Sequence, residues 1–127
     1  MSDPIGEFSL KHAGTTHAKT PDGELASYSN FSGTASGYGQ VFGTLILIRP
    51  LVEAGNTSGT CSWAAQAYLE DGSVLGGLGE GSWEQVPNEH IWKISMVTEV
   101  SNGDKVRSEG QISLETLEYT GQLFAVD

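Results

Sequence analysis

The chain has 127 residues, 38% hydrophobic and 9% aromatic, which suits one folded domain spanning residues 1–127 with its own core and excludes a disordered chain. With 16 Asp and Glu against 6 Lys and Arg, the net charge of −10 argues against nucleic acid or an anionic membrane surface as a partner. A lone cysteine, Cys61, excludes an intramolecular disulfide and points to a reducing compartment.

The N-terminal MSDPIGEFSL has neither the basic region nor the apolar run of a signal peptide. The longest apolar stretch, VFGTLILI at 41–48, is too short to span a bilayer, so a cytoplasmic protein without a membrane partner is expected. No window carries a helical period. Alternation broken by PDG at 21–23, EDG at 70–72 and SNGD at 101–104 predicts strands near 6–13, 24–35, 38–49, 60–69, 74–86, 90–100, 105–114 and 117–125. Eight strands joined by short turns predict an all-β chain folded as a single antiparallel up-and-down β-barrel, with a β-sandwich as the alternative.

The first strand sets Phe8, Leu10 and His12 on one face. His17 follows His12 by an odd offset, which on a regular strand turns the two rings to opposite faces, so HAGTTH is not read as a metal clamp. No other metal-ligand spacing is present, and no metal or cofactor is expected. The strand at 41–48 is apolar on both faces, with Phe42, Ile46 and Ile48 on one and Val41, Leu45 and Leu47 on the other. Its outer face needs cover, from a terminal segment or from another subunit, and a homodimer through this strand is the corresponding expectation. Arg49 and Glu53, at its end, are then an interface ion pair or a rim site.

The glycines of VLGGLGEGSWEQV at 74–86 fail as a dinucleotide fingerprint, because Ser82 stands where the third glycine belongs and no helix follows. A three-residue loop at Asp71-Gly72-Ser73 sets Leu69 against Leu75, Ala65 against Gly79 and Trp63 against Gly81. A turn centred on Asn88-Glu89 pairs Trp83 with Ile94, Gly81 with Met96 and Glu84 with Lys93. A loop at Asn102-Gly103-Asp104 pairs Val100 with Val106, Ile94 with Ile112 and Glu99 with Arg107. A turn at Glu115-Thr116 sets Ile112 beside Tyr119 and Gly110 beside Gly121. Trp63 over Gly81 then reads as an aromatic covering a bare strand position, with the inner glycines opening a cavity.

This parity gives an apolar lumen whose ligand-binding wall is Trp63, Trp83, Trp92, Met96, Thr98 and Ile112, with Gly79 and Gly81 making room. A packed core is the competing reading. Candidate catalytic groups are His12 and Tyr119, which become neighbours if the first and last strands close the barrel. Glu80 is the third. It faces outward in this register and would turn inward after a one-residue slip.

Two stretches carry a resemblance. NFSGTASGYGQVFGTLILI, a glycine-rich strand leading into a long apolar one, resembles the small calycin-type barrels, among them the allene-oxide-cyclase-like and dirigent barrels. SNGDKVRSEGQISLETLEYTGQLF resembles bacterial lipocalin-like proteins of unassigned function. The chain lacks the early Gly-x-Trp and helix of true lipocalins and the helical lid of the fatty-acid-binding proteins, so neither ligand class transfers. The resemblance implies a small apolar or aromatic ligand inside the barrel. It leaves three functions open: a cofactor-independent isomerase or cyclase acting by positioning and acid-base catalysis, a non-catalytic carrier, and a structural or oligomerising protein with a filled core.

Overall fold

The computed structural model describes residues 3–126. Eight strands form one closed antiparallel up-and-down barrel in chain order: β1 (Gly6–Lys19), β2 (Leu25–Ala35), β3 (Gly39–Arg49), β4 (Ser58–Tyr68), β5 (Val74–Gln85), β6 (Ile91–Val100), β7 (Lys105–Ser113) and β8 (Glu118–Ala125). A 3₁₀ turn at Leu51–Glu53 lies in the connection from β3 to β4. β1 pairs with β8 from Gly6 opposite Leu123 to Lys11 opposite Glu118, so no strand edge is left open along this seam. No helix among the described residues is long and apolar enough to cross a membrane.

Three hairpins share one construction. In Thr20–Glu24, Leu69–Ser73 and Val100–Asp104 the first and fifth residues are joined by a backbone bond of 2.9 to 3.0 Å, and the fourth is a glycine at φ of 84°, 90° and 98°. Asp71 Oδ1 and Asn102 Oδ1 each accept the backbone N–H two residues on, at 2.9 Å. The left-handed glycine must therefore be the last of the three loop residues, Glu70-Asp71-Gly72 and Ser101-Asn102-Gly103, not the middle one.

That geometry corrects two of the expected registers by two residues. Trp63 lies opposite Gly79, Ala65 opposite Gly77 and Ala67 opposite Leu75. Ile94 lies opposite Gly110, and Thr98 opposite Val106. Glu99 faces Lys105 rather than Arg107, and Arg107 instead pairs with Glu109 on its own strand at 3.0 Å. A two-residue slip preserves parity, so every residue keeps its expected face. The turns after β5 and β7 give the expected pairs, Trp83 with Ile94, Glu84 with Lys93, Ile112 with Tyr119 and Gly110 with Gly121.

β1 runs six residues past its expected end and carries a bulge between His12 and Gly14, where Gly14 adopts φ of 127°. The bulge inserts one unpaired residue, Ala13, and so reverses parity beyond it. His12 opposite Phe31 and His17 opposite Ser27 consequently share the lumen face. The expectation that an odd offset separates the two rings is overturned for this reason.

The glycines also act differently from expectation. A Cβ on Gly43 would collide with the Trp63 indole, so Trp63 covers Gly43 of the neighbouring β3 and not Gly81. Gly79 sits beneath Thr98 and Trp63, and a side chain on Gly81 would meet Met96 and the Ser95 carbonyl. Both admit close packing and neither opens space. The cavity borders instead on Gly76 and Gly77.

Candidate functional site

The lumen is divided. Phe31, Leu45, Cys61 and Ile94 are buried at its middle, where the Phe31 ring meets Tyr119 edge-on at 5.5 Å. A chamber lies on each side of this packed waist.

The first chamber is an apolar cavity of about 110 Å³ beneath the turns after β2, β4 and β6. Trp63, Met96, Thr98 and Tyr119 line it together with Phe8, Val41, Val106 and Ser108. Tyr119 is 1% exposed, and its ring is held by edge contacts to Phe8 at 4.9 Å and Trp63 at 6.0 Å. The Tyr119 hydroxyl is buried without a hydrogen-bond partner. Burial first, then the Cys61 thiol, holds this phenol protonated well above the ordinary tyrosine value. Ser108 stands near enough to pull weakly the other way, but without hydrogen-bond geometry. Tyr119 is thus a committed donor with nothing to donate to.

Tyr38 lines the same cavity and donates its hydroxyl to Asp104 Oδ2 at 2.8 Å. This bond ties the turn after β2 to the turn after β6 across the barrel end. Burial and the Asp104 carboxylate push the Tyr38 phenol up from 10.0 to about 12, which keeps the donor in place.

The second chamber is a mouth of about 490 Å³ at the opposite end, among the turns after β1, β3, β5 and β7. Trp83, Trp92 and Ile112 belong to its wall, with His12, Phe31, Leu45 and Ile94. The six expected wall residues with side chains are therefore split between two chambers, because Phe31 and Leu45 from β2 and β3 fill the space between them. His12 and Tyr119 are likewise apart. His12 Nε2 bonds Thr15 Oγ1 at 2.6 Å, and its ring meets Phe31 at 5.5 Å on the side away from the cavity. Glu80 is exposed on the outer face opposite Ser62 and Val97, as parity required.

Two groups of the second chamber, Ser27 and the inward-facing His17, escaped the sequence reading, and Arg49 takes the rim-site alternative. Arg49 shares the inward parity of Val41, Leu45 and Leu47, a signal the alternation of β3 already carried. It is a rim residue whose Nη1 donates to Ser27 Oγ at 3.0 Å, and it makes no ion pair with Glu53. Ser27 is buried and also bonds His17 Nδ1 at 2.9 Å. His17 was hidden by the bulge, whose only trace in the sequence is Gly14.

Among the described residues, no group of three or more His, Cys, Asp and Glu side chains is placed to hold a metal. The three histidines are spread around the second mouth. No protein-family model, no curated protein and no solved structure matches the chain.

Proposed function

We propose that the barrel binds a small, largely apolar molecule bearing one hydrogen-bond acceptor, with Tyr119 as the orienting donor. The observation that carries this reading is the buried, unpartnered Tyr119 hydroxyl on the wall of an apolar cavity. Leaving such a group unpaired costs about 1–3 kcal/mol, which a ligand carbonyl or ether oxygen would recover. At about 110 Å³ the cavity is smaller than the roughly 150 Å³ apolar protein cavity that accepts benzene, so it suits a ligand of about five-membered-ring size. Drug-sized ligands generally need about 300 Å³ or more, so this chamber selects small molecules.

The wall supports carriage over the isomerase or cyclase reading. No carboxylate or imidazole among the described residues lines it, and Tyr119 is held in the form that donates rather than accepts a proton. The buried Cys61 thiol fits a reducing compartment, and we place the carrier in the cytoplasm on that ground.

Titration with cyclopentanone and cyclopentane, followed by tryptophan emission and thermal melting, tests the reading. Both probes should saturate, with the ketone about five- to tenfold tighter, and Tyr119→Phe should erase that difference while leaving the hydrocarbon unaffected. Failure of both probes to shift emission or melting would establish a filled core.

A further inference from the structure

We propose that the second mouth is an independent site for the carboxylate of an amphipathic aromatic acid, with Arg49 and His17 at the anion and the tryptophan wall around the ring system. Charge placement is the first ground. The chain carries 16 acidic residues, yet none among the described residues lines this mouth, while Arg49 and all three histidines, His12, His17 and His90, do. A random share of so acidic a surface would bring carboxylates there. The carboxylates of the surrounding turns, Asp22, Glu24, Glu53, Glu89 and Glu115, stay out of the lining, so Arg49 is the charged group on the wall.

The state of Arg49 is the second ground. The chain has two arginines, and they are used differently. Arg107 is neutralised by Glu109 at 3.0 Å and lies over the Phe124 ring at 4.3 Å. Arg49 has no carboxylate within ion-pair distance among the described residues. Its Nη1 is anchored by Ser27 Oγ at 3.0 Å and the Leu47 carbonyl at 3.3 Å, which fixes the guanidinium and leaves Nε and Nη2 to donate as a fork.

The third ground is the support behind it. Ser27 is 7% exposed and joins Arg49 to His17, so two donors of the site are positioned through one buried hydroxyl. The wall also presents Phe31, Leu45, Trp83 and Trp92 to the space, interleaved with the uncharged polar side chains of Thr15, Ser29, Asn56, Gln85 and Ser113. At about 490 Å³ the mouth is large enough for a fused aromatic ring, which the first chamber is not. Carboxylate recognition by the fork, with the ring on the tryptophans, sets the arginine of the mouth at the anion and its aromatic wall at the ring.

The test is isothermal titration with 2-naphthoate and its neutral counterpart 2-naphthylmethanol. The acid should bind at least tenfold tighter. Arg49→Gln should abolish that preference and leave the alcohol's affinity unchanged, whereas Tyr119→Phe should alter neither. Equal affinities for acid and alcohol, or a preference that survives Arg49→Gln, would overturn the site. A second measurement needs no variant. Naphthoate should protect Arg49, but not Arg107, from phenylglyoxal in the native protein, as read by peptide mass mapping. Equal modification of Arg49 with and without naphthoate would refute the proposal even if Arg49→Gln fails to fold.

Discussion

Trp63 and Gly43 form a single packing unit, and their energetics are correspondingly coupled. The indole fills the space that a Gly43 side chain would occupy, and Trp63 also forms part of the cavity wall. Gly43→Ala should destabilise the barrel by about 1–3 kcal/mol through overpacking, and Trp63→Ala by about 3–5 kcal/mol through loss of a buried aromatic. In the double variant the glycine substitution should cost nothing further, because the clash has gone. Urea midpoints of the four proteins measure this cycle, and strict additivity would show that the indole does not rest on Gly43. The alternation of β4 was enough to place Trp63 in the lumen. It could not say which bare position the ring would cover, because that choice depends on the tilt of β3 against β4 and not on either strand's pattern.

At the level of strands and hairpins, parity was readable while register was not. Apolar alternation in β4 to β8 assigns faces, and an even slip leaves them untouched, so Glu80 stays outside with either placement of the three-residue loop. Register depends on where the left-handed glycine falls within the loop, a difference of one position in Glu70-Asp71-Gly72-Ser73 that moves the ladder by two. The bulge at Ala13 was less accessible still, since Thr15, Thr16 and His17 offer no apolar alternation to reveal a change of face. The outer face of β3 carries its own expectation. Phe42 is 52% exposed and packs against Tyr68 at 5.7 Å, and Leu78, two strands away, is 72% exposed. A homodimer through this face should appear by size exclusion with light scattering, and Phe42→Glu should yield a folded monomer whose melting no longer depends on protein concentration. A monomeric parent protein at high concentration would remove the dimer.

For the molecule as a whole, protons link the interior to stability. Burial pushes the Cys61 thiol from 9.0 up to about 11, and Tyr38 and Tyr119 are raised as well. In each case the folded chain keeps a proton that the unfolded chain releases, so their contribution is complete below about pH 9 and is lost as pH climbs through the raised values. Urea midpoints should hold steady from about pH 7 to 9 and then fall, and Cys61→Ala should flatten the early part of that fall. A midpoint that rises above pH 9 would contradict the burial of these groups.

The seam between β1 and β8 has a practical corollary. Ile5 N–H bonds the Leu123 carbonyl at 2.7 Å, and Ser36 N–H bonds Glu7, so both ends of the described chain emerge beside the Tyr38–Asp104 tie. Anything fused ahead of Asp3 or beyond Val126 will crowd the small cavity's end. A barrel anchored to a surface by either terminus therefore presents its arginine-bearing mouth to the solution, and the two chambers can be addressed separately by the choice of tether alone.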